Sequence, residues 1–300
     1  MGLLAAAVLA LPARAIVELD PSFLVNDGDY ISNALNYPTV GYFGLPSGAL
    51  SGVLIAPNYV LTAGHVANLL AVGSSHFTIG GNTYLVTGTS VYPSYSPSPL
   101  HDDIAVVQLG GSVSNVTPAT LYTGNLELTT TATWVGFGYN GTGLTGSGDF
   151  TGRGTARAGT NVVDLYAYYS APNLDFTFDP SLGTVLVADF DNHTVGNNTL
   201  SPYSSPLVTS LEAGVAEGDS GGGVFANFGG GNVLIGINDF NSPGNTGGDG
   251  TQYGALLGAT RVSPYSGWVF SQIPEPGFGA LAVGGVVGLI AWRQRRRGPG

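Results

Sequence analysis

Short apolar runs recur along the chain, rich in Val, Ile, Leu, Tyr and Phe and broken by Gly, Pro, Asn and Ser. A first set occupies residues 39–43, 50–55, 59–62, 76–79, 83–86 and 104–109, with Asn58, Gly80-Gly81 and the segment 93–99 as turns. A second set occupies 131–137, 161–169, 184–189, 223–228, 233–237 and 253–262. Runs of this length between turn residues read as β-strands. The polar stretch 112–127, with Pro118, separates the sets, and 265–273, carrying Trp268, predicts a short terminal helix. Glycine-rich 141–154 and 241–250 predict long surface loops. No internal repeat of fixed period is visible. The pattern therefore predicts an all-β chain of two small barrels, 16–125 and 126–272.

Composition supports this. The chain has 300 residues, 43% hydrophobic and only 9% charged, with 48 glycines. That suffices for a sizeable core but is poor material for long helices with charged faces. Lysine is absent, and within 16–275 only Arg153, Arg157 and Arg261 stand against all nineteen acids. So acidic a body has no basic patch for nucleic acid, which excludes that partner class. Without cysteine there is no disulfide framework and no thiolate metal site.

The two ends point to export. Residues 3–11 are continuously apolar, followed by Pro12 and Ala13-Arg14-Ala15, the layout of a secretory signal peptide (1–15) cut after Ala15. Its first residues, Met1-Gly2, carry no basic side chain. At the other end, Pro274-Glu275-Pro276 precedes an apolar segment, 277–292, and then Arg293-Gln294-Arg295-Arg296-Arg297. Sixteen helical residues rise about 24 Å, slightly short of a bilayer core. The cationic cluster suits the cytoplasmic side. Segment 273–300 closely resembles a PEP-CTERM sorting signal. That resemblance implies an exosortase-type sorting machinery as partner and contact with a bacterial membrane through 277–292. A permanent membrane anchor is the alternative. Either way the body is periplasmic, on the cell surface or extracellular.

The chemistry concentrates in Gly218-Asp219-Ser220-Gly221-Gly222, downstream of Leu61-Thr62-Ala63-Gly64-His65 and of Asp103-Ile104-Ala105. Glycines beside a serine let the backbone turn sharply and present neighbouring N–H groups around an exposed hydroxyl. A serine hydroxyl needs an adjacent base, and imidazole titrates near neutrality.

These residues, in the order His65, Asp103, Ser220, resemble the chymotrypsin/trypsin-like serine proteases. Ser51-Gly52-Val53-Leu54-Ile55 and Tyr59-Val60-Leu61-Thr62 resemble the strands leading to that family's histidine. Val135-Gly136-Phe137-Gly138 resembles its Gly-Trp-Gly strand, with Phe137 in place of tryptophan. Gly236-Ile237 and Ala259-Thr260-Arg261-Val262 fall where its last strands belong. The resemblance spans about residues 38–272. It implies two six-stranded antiparallel β-barrels with a short C-terminal helix. It also implies a triad in which Asp103 orients His65, His65 activates Ser220, and the N–H groups of Gly218 and Ser220 form the oxyanion hole. Asp102, preceded by His101, is a neighbouring rival, but the family pattern places the acid directly before Ile-Ala.

The resemblance also links Asp219 to a freed N-terminal amine, and cleavage after Ala15 would expose Ile16-Val17. Glu18-Leu19 replace the glycines expected next, and small apolar residues commonly follow signal sites, so the sequence favours coincidence. For specificity, the family's pocket floor corresponds to Gly214, with Glu212 two positions away. Asn241 and Leu257 approximate the wall positions. With no carboxylate at the floor, the reading is a small or medium apolar P1 residue. Asp189-Phe190-Asp191-Asn192-His193 gathers oxygen donors that would suit Ca²⁺, although a polar loop after a strand explains them equally. No metal or cofactor is assigned. Asn115, Asn140 and Asn192 begin glycosylation-type tripeptides, which composition alone accounts for. The functional expectation is an exported serine endopeptidase acting on protein or peptide substrates. The alternative is a non-catalytic surface or extracellular-matrix binding protein retaining the protease fold.

Overall fold

A computed structural model describes residues 16–274, apart from 46–47, 98–99, 148–153, 171–172 and 244–249. The signal segment 1–15 and the apolar segment 277–292 lie outside the described residues. Among those described, no helix is long and apolar enough to cross a membrane.

The first half closes as expected. Strands Val40–Leu45, Gly48–Ala56, Tyr59–Thr62, Ala105–Leu109, Asn82–Val91 and His76–Ile79 follow one another round a closed antiparallel barrel. Its interior holds Phe43, Val53, Leu61, Phe77 and Val107, all fully buried. Closure brings backbones too near for side chains at two facing positions, Gly41 and Gly52. A Cβ on Gly41 would lie 2.6 Å from Phe77, and one on Gly52 2.7 Å from Val60. Only glycine fits such an approach.

The second half departs from the expected six-stranded barrel. Its strands form one eight-stranded antiparallel sheet in the order Arg157–Val162, Thr131–Gly136, Gly223–Asn227, Asn232–Ser242, Leu256–Arg261, Val185–Asp189, Leu165–Ser170, Asn173–Thr177. The run 161–169 is two strands, parted where Val163-Asp164 leaves one edge and enters the other. Asn173–Thr177, too polar to stand out in the pattern, adds an outer edge. The barrel seam between Arg157–Val162 and Val185–Asp189 is bridged by side chain instead of ladder. The Asn161 amide donates to the carbonyls of Asp189 (2.9 Å) and Ala213 (3.1 Å).

Two short strands tie the chain's start to this half. Ile16–Glu18 pairs in parallel with Asn140–Thr142 and antiparallel with Ala213–Gly214. The helix Asp27–Ala34 follows, started by a capping box in which Asn26 accepts from Gly28 N–H and Asp29 accepts from Asn26 N–H. At the other end, the turn Ser263–Tyr265 and helix Ser266–Gln272 occupy the expected place. The two halves share one core, in which Val135, Phe225, Ile237 and Val262 pack with residues of the first barrel.

The two described arginines are internal ties. Arg157 binds Glu18 and Asp27. Arg261 binds Glu127 at 2.7 Å and donates to the carbonyls of Pro180 and Gly183.

Candidate active site

His65 and Asp103 meet because of strand pairing. Tyr59–Thr62 pairs with Ala105–Leu109, with Thr62 opposite Ala105. The chain just after the one strand therefore lies beside the chain just before the other. His65 sits in the helical turn Gly64–Ala67. Its backbone N–H donates to Asp103 Oδ1 at 2.7 Å, and its Nδ1 lies 2.5 Å from Oδ2. Gly64 leaves room for this, since a Cβ there would stand 3.0 Å from Asp103 Oδ1. Asp103 is fully buried while His65 stays about one-third exposed. Burial opposes the charge on Asp103, but the bonds from His65 and from Asp239 outweigh it and hold the carboxyl below its usual range.

Asp102 is turned elsewhere. Its backbone takes φ +53°, and its carboxylate accepts from Tyr265 Oη at 2.5 Å and lies 3.1 Å from His101 Nδ1. Burial and the Asp102 charge push the Tyr265 phenol well up.

Ser220 sits half-buried in the turn before Gly223–Asn227. Gly218 and Gly221 take φ of +96° and +82°. Gly221 also packs against the first barrel, where a Cβ would be 2.1 Å from Thr62 Oγ1. Ser51, on that barrel, clamps the turn: its N–H donates to Ser220 O and its hydroxyl to Gly218 O, each at 2.9 Å. Within the turn the N–H groups of Asp219, Gly221 and Gly222 are engaged by Ala216 O, Asn238 O and Asp219 O. Those of Gly218 and Ser220 have no acceptor among the described residues. Two free donors flank one hydroxyl, the arrangement an oxyanion requires. No hydrogen bond joins Ser220 directly to His65 among the described contacts. Such contacts commonly tighten when substrate binds.

Asp219 is fully buried and accepts from the N–H groups of Gly138 and Ala216, each at 2.9 Å, and from that of Ile16. Burial, only partly offset by these bonds, pushes its pKa up to about 7. Gly136 and Gly138 are glycines because a Cβ on either would collide with Asp219, at 2.1 and 2.5 Å.

A cavity of about 250 Å³ opens beside Ser220, lined among others by Val215, Glu217, Asp239, Phe240 and Asn241. Asn241 crosses it, its amide donating to Val215 O at 3.0 Å. Gly214 and Leu257 are not in this lining. Gly214 is paired with Val17, and Leu257 is a core residue paired with Asn241 on the neighbouring strand. Strand pairing commits both to the sheets, Gly214 against the first strand and Leu257 in the core of the second half. Glu212 is likewise buried elsewhere, held by Thr209.

One residue beside the site escaped the sequence reading. Asp239 is buried, accepts from Thr260 Oγ1 at 3.1 Å, and hydrogen-bonds Asp103. The signal was a lone acid in the apolar run 233–240. His65, Asp103 and Asp239 bring their atoms within 4.8 Å of one another, close enough for a metal. Asp103 Oδ2 is already engaged with the imidazole Nδ1 and Oδ1 with the His65 backbone N–H, so proton chemistry suits the group better.

The Trypsin family model matches residues 35–154, the stretch that holds His65 and Asp103. No curated protein matches the chain. Among solved structures 1222 chains match. One is neuropsin, a serine protease expressed in the limbic system of mouse brain: 16% identity, TM-score 0.54, covering 79% of this chain and 95% of that one. The chain thus has a trypsin-like fold, mostly β with a short C-terminal helix.

Proposed function

We propose that this chain is an exported serine endopeptidase. The observation that carries the reading is the buried Asp103–His65 pair, set on the barrel that also clamps the Ser220 turn with its two unengaged N–H donors. In this reading His65 takes the proton of Ser220 Oγ as it attacks the scissile carbonyl. Gly218 and Ser220 N–H receive the developing oxyanion, and the imidazolium, steadied by Asp103, then protonates the leaving amine. Water activated by His65 hydrolyses the acyl-enzyme. Asn241, narrowing the cavity beside Ser220, supports a small or medium apolar P1 residue.

Export follows from the sequence of the two ends, through a signal segment cut after Ala15 and a sorting segment at 273–300. Ile16 N–H at buried Asp219 favours a coupling between that cut and activity, because an ammonium there would neutralise the carboxylate.

A fluorophosphonate probe tests the reading. It should label protein beginning at Ile16 but not the Ser220→Ala variant. That substitution should also lower kcat on the order of 10⁶-fold. Absence of labelling would leave a protease-like binding protein as the better description.

A further inference from the structure

Glu18 stands where the resemblance calls for a glycine, and the proposed catalysis leaves it unused. It ends the three-residue strand Ile16–Glu18 and is 5% exposed, between buried Val17 and Leu19. A carboxyl that deep is costly without a partner. Its partner is Arg157, fully buried, whose Nε donates to Glu18 Oε1 at 3.0 Å and also to Asp27 Oδ1, in the first turn of the helix Asp27–Ala34.

Arg157 also borders the Asp219 pocket. In the sheet it pairs with Gly136, the glycine whose missing side chain leaves room for Asp219. Its charge favours the ionised form of Asp219, against the burial that opposes it. Ile16, two positions before Glu18, donates its N–H to the same Asp219. One guanidinium thus ties the helix, the first strand and a strand that walls in Asp219. Backbone pairing at the strand's start is thin, since only Val17 and Glu18 pair with Ala213–Gly214 and Ile16 has a ladder partner on one side alone. Tyr30 and Tyr253 fasten the chain further on, at Leu19 and Asp20. Burial, then the bond and charge of Asp27, push Glu18 up to about 9, and Arg157 opposes them. Glu18 is therefore a neutral acid near pH 7, so an uncharged acceptor suffices at that position.

We propose that Arg157 is a positioning residue for the oxyanion turn. By holding Glu18 it seats the first strand, so that Ile16 reaches Asp219, and Asp219 in turn keeps its neighbours Gly218 and Ser220 in place. Without the guanidinium, Glu18 and Asp27 are two acids left to each other, and the end of the strand is pushed off its seat. The consequence for catalysis rests on the peptidase reading; the seating of the strand does not.

The experiment exploits the absence of lysine: in protein beginning at Ile16, the α-amine of Ile16 is the one primary amine. Its acylation by an N-hydroxysuccinimide ester at about pH 8, near the ordinary pKa of an α-amine, reports whether it is seated. Mass spectrometry of the N-terminal peptide reads the rate. The native protein should react slowly compared with the urea-unfolded chain. Arg157→Met and Glu18→Ala should each speed acylation about 10–100-fold, the scale of one charged hydrogen bond. Glu18→Gln keeps an acceptor for the guanidinium and should leave the amine protected. Fluorophosphonate labelling of Ser220 should slow about tenfold in the first two variants, part of the cost of losing an oxyanion donor, and not in the third. A merely structural role would lower Tm and move neither rate. Glu18→Ala decides if Arg157→Met does not fold. Three results would overturn the proposal. These are a native amine as reactive as the unfolded one, an amine equally protected in both loss variants, or an exposed amine with labelling unchanged. If the native protein takes no label, the peptidase reading fails, and the acylation rates alone decide whether Arg157 seats the strand.

Discussion

The carboxyl of Asp239 hydrogen-bonds the carboxyl of Asp103, so the acid that holds His65 is itself held by a second acid. Two carboxylates cannot both stay charged at that range in a buried site. Burial and the Asp103 charge push Asp239 well above the carboxylate range, while Asp103 is held low. The proton therefore resides on Asp239. Its Oδ1 receives no donor among the described residues, as suits an oxygen that carries a hydrogen. Asp239 acts here as a neutral donor that fixes Asp103 for His65.

Replacing Asp239 with Asn preserves a donor toward Asp103, whereas Ala removes it. Asp239→Asn should keep peptidase kcat within about tenfold near pH 7, and Asp239→Ala should lose about 10²-fold through His65 orientation. The pH profile separates this from a structural role. Because the folded pKa of Asp239 is raised, its favourable contribution is complete below the unfolded value and declines as pH rises through the folded one. Activity of the native protein should therefore fall on the alkaline side, and the Asn variant should lack that limb. Identical profiles would remove Asp239 from the site's proton balance.

Ile16 presents its N–H to Asp219, and the first strand is clasped between Asn140–Thr142 and Ala213–Gly214. A chain starting at Ile16 brings an ammonium to that carboxylate; one retaining residues ahead of it brings only an amide. With the amide, a raised Asp219 favours folding at acid pH and loses that contribution as pH rises through about 7. We expect forms extended by several residues before Ile16 to hydrolyse peptides about 10²–10³-fold more slowly, the scale of losing an oxyanion donor. Mass spectrometry of the N-terminus alongside kcat/KM checks this. Full activity of an extended form would separate export from activation.

The legible parts of the fold were those written in local pattern. Strands of the first barrel stand out because apolar runs alternate with obligatory turns. The site motif stands out because Gly136, Gly138 and Gly221 leave no room for a side chain and Gly218 takes a positive φ. The unread parts depend on distant partners. Ile16–Glu18 is too short to signal a strand, and it exists because two other segments pair with it. The seam at Asn161 is a side-chain substitute for a ladder, invisible to periodicity. The helix Asp27–Ala34 was not read either: its cap residues Asn26 and Asp29 are a local signal, but no long apolar stripe reinforces them.

Arg261 is the main internal tie of the second half: 2% exposed, bonded to both Glu127 oxygens at 2.7 and 3.1 Å, and stacked over Tyr166. Removing one member of a buried ion pair leaves the other charge uncompensated. Arg261→Met should destabilise the protein by about 3–5 kcal/mol in urea unfolding. Adding Glu127→Leu should recover part of that loss, since the orphaned carboxylate is then gone. A double variant as unstable as the sum of the two singles would show that the pair is not coupled.

Asn241 decides which side chain fits beside Ser220. Its amide reaches across the cavity to Val215 O, 3.0 Å away, and so fills space that a substrate side chain would otherwise enter. Asn241→Gly removes both the bulk and the bridge. The cavity then gains space beside Val215 and Phe240, which line it and are apolar. Peptides with Phe at P1 should gain about 10–100-fold in kcat/KM relative to those with Ala, since a few buried methylene equivalents are worth about 1–3 kcal/mol. A peptide library profiled on both proteins measures the shift. An unchanged Phe-to-Ala ratio would mean that substrate side chains enter elsewhere.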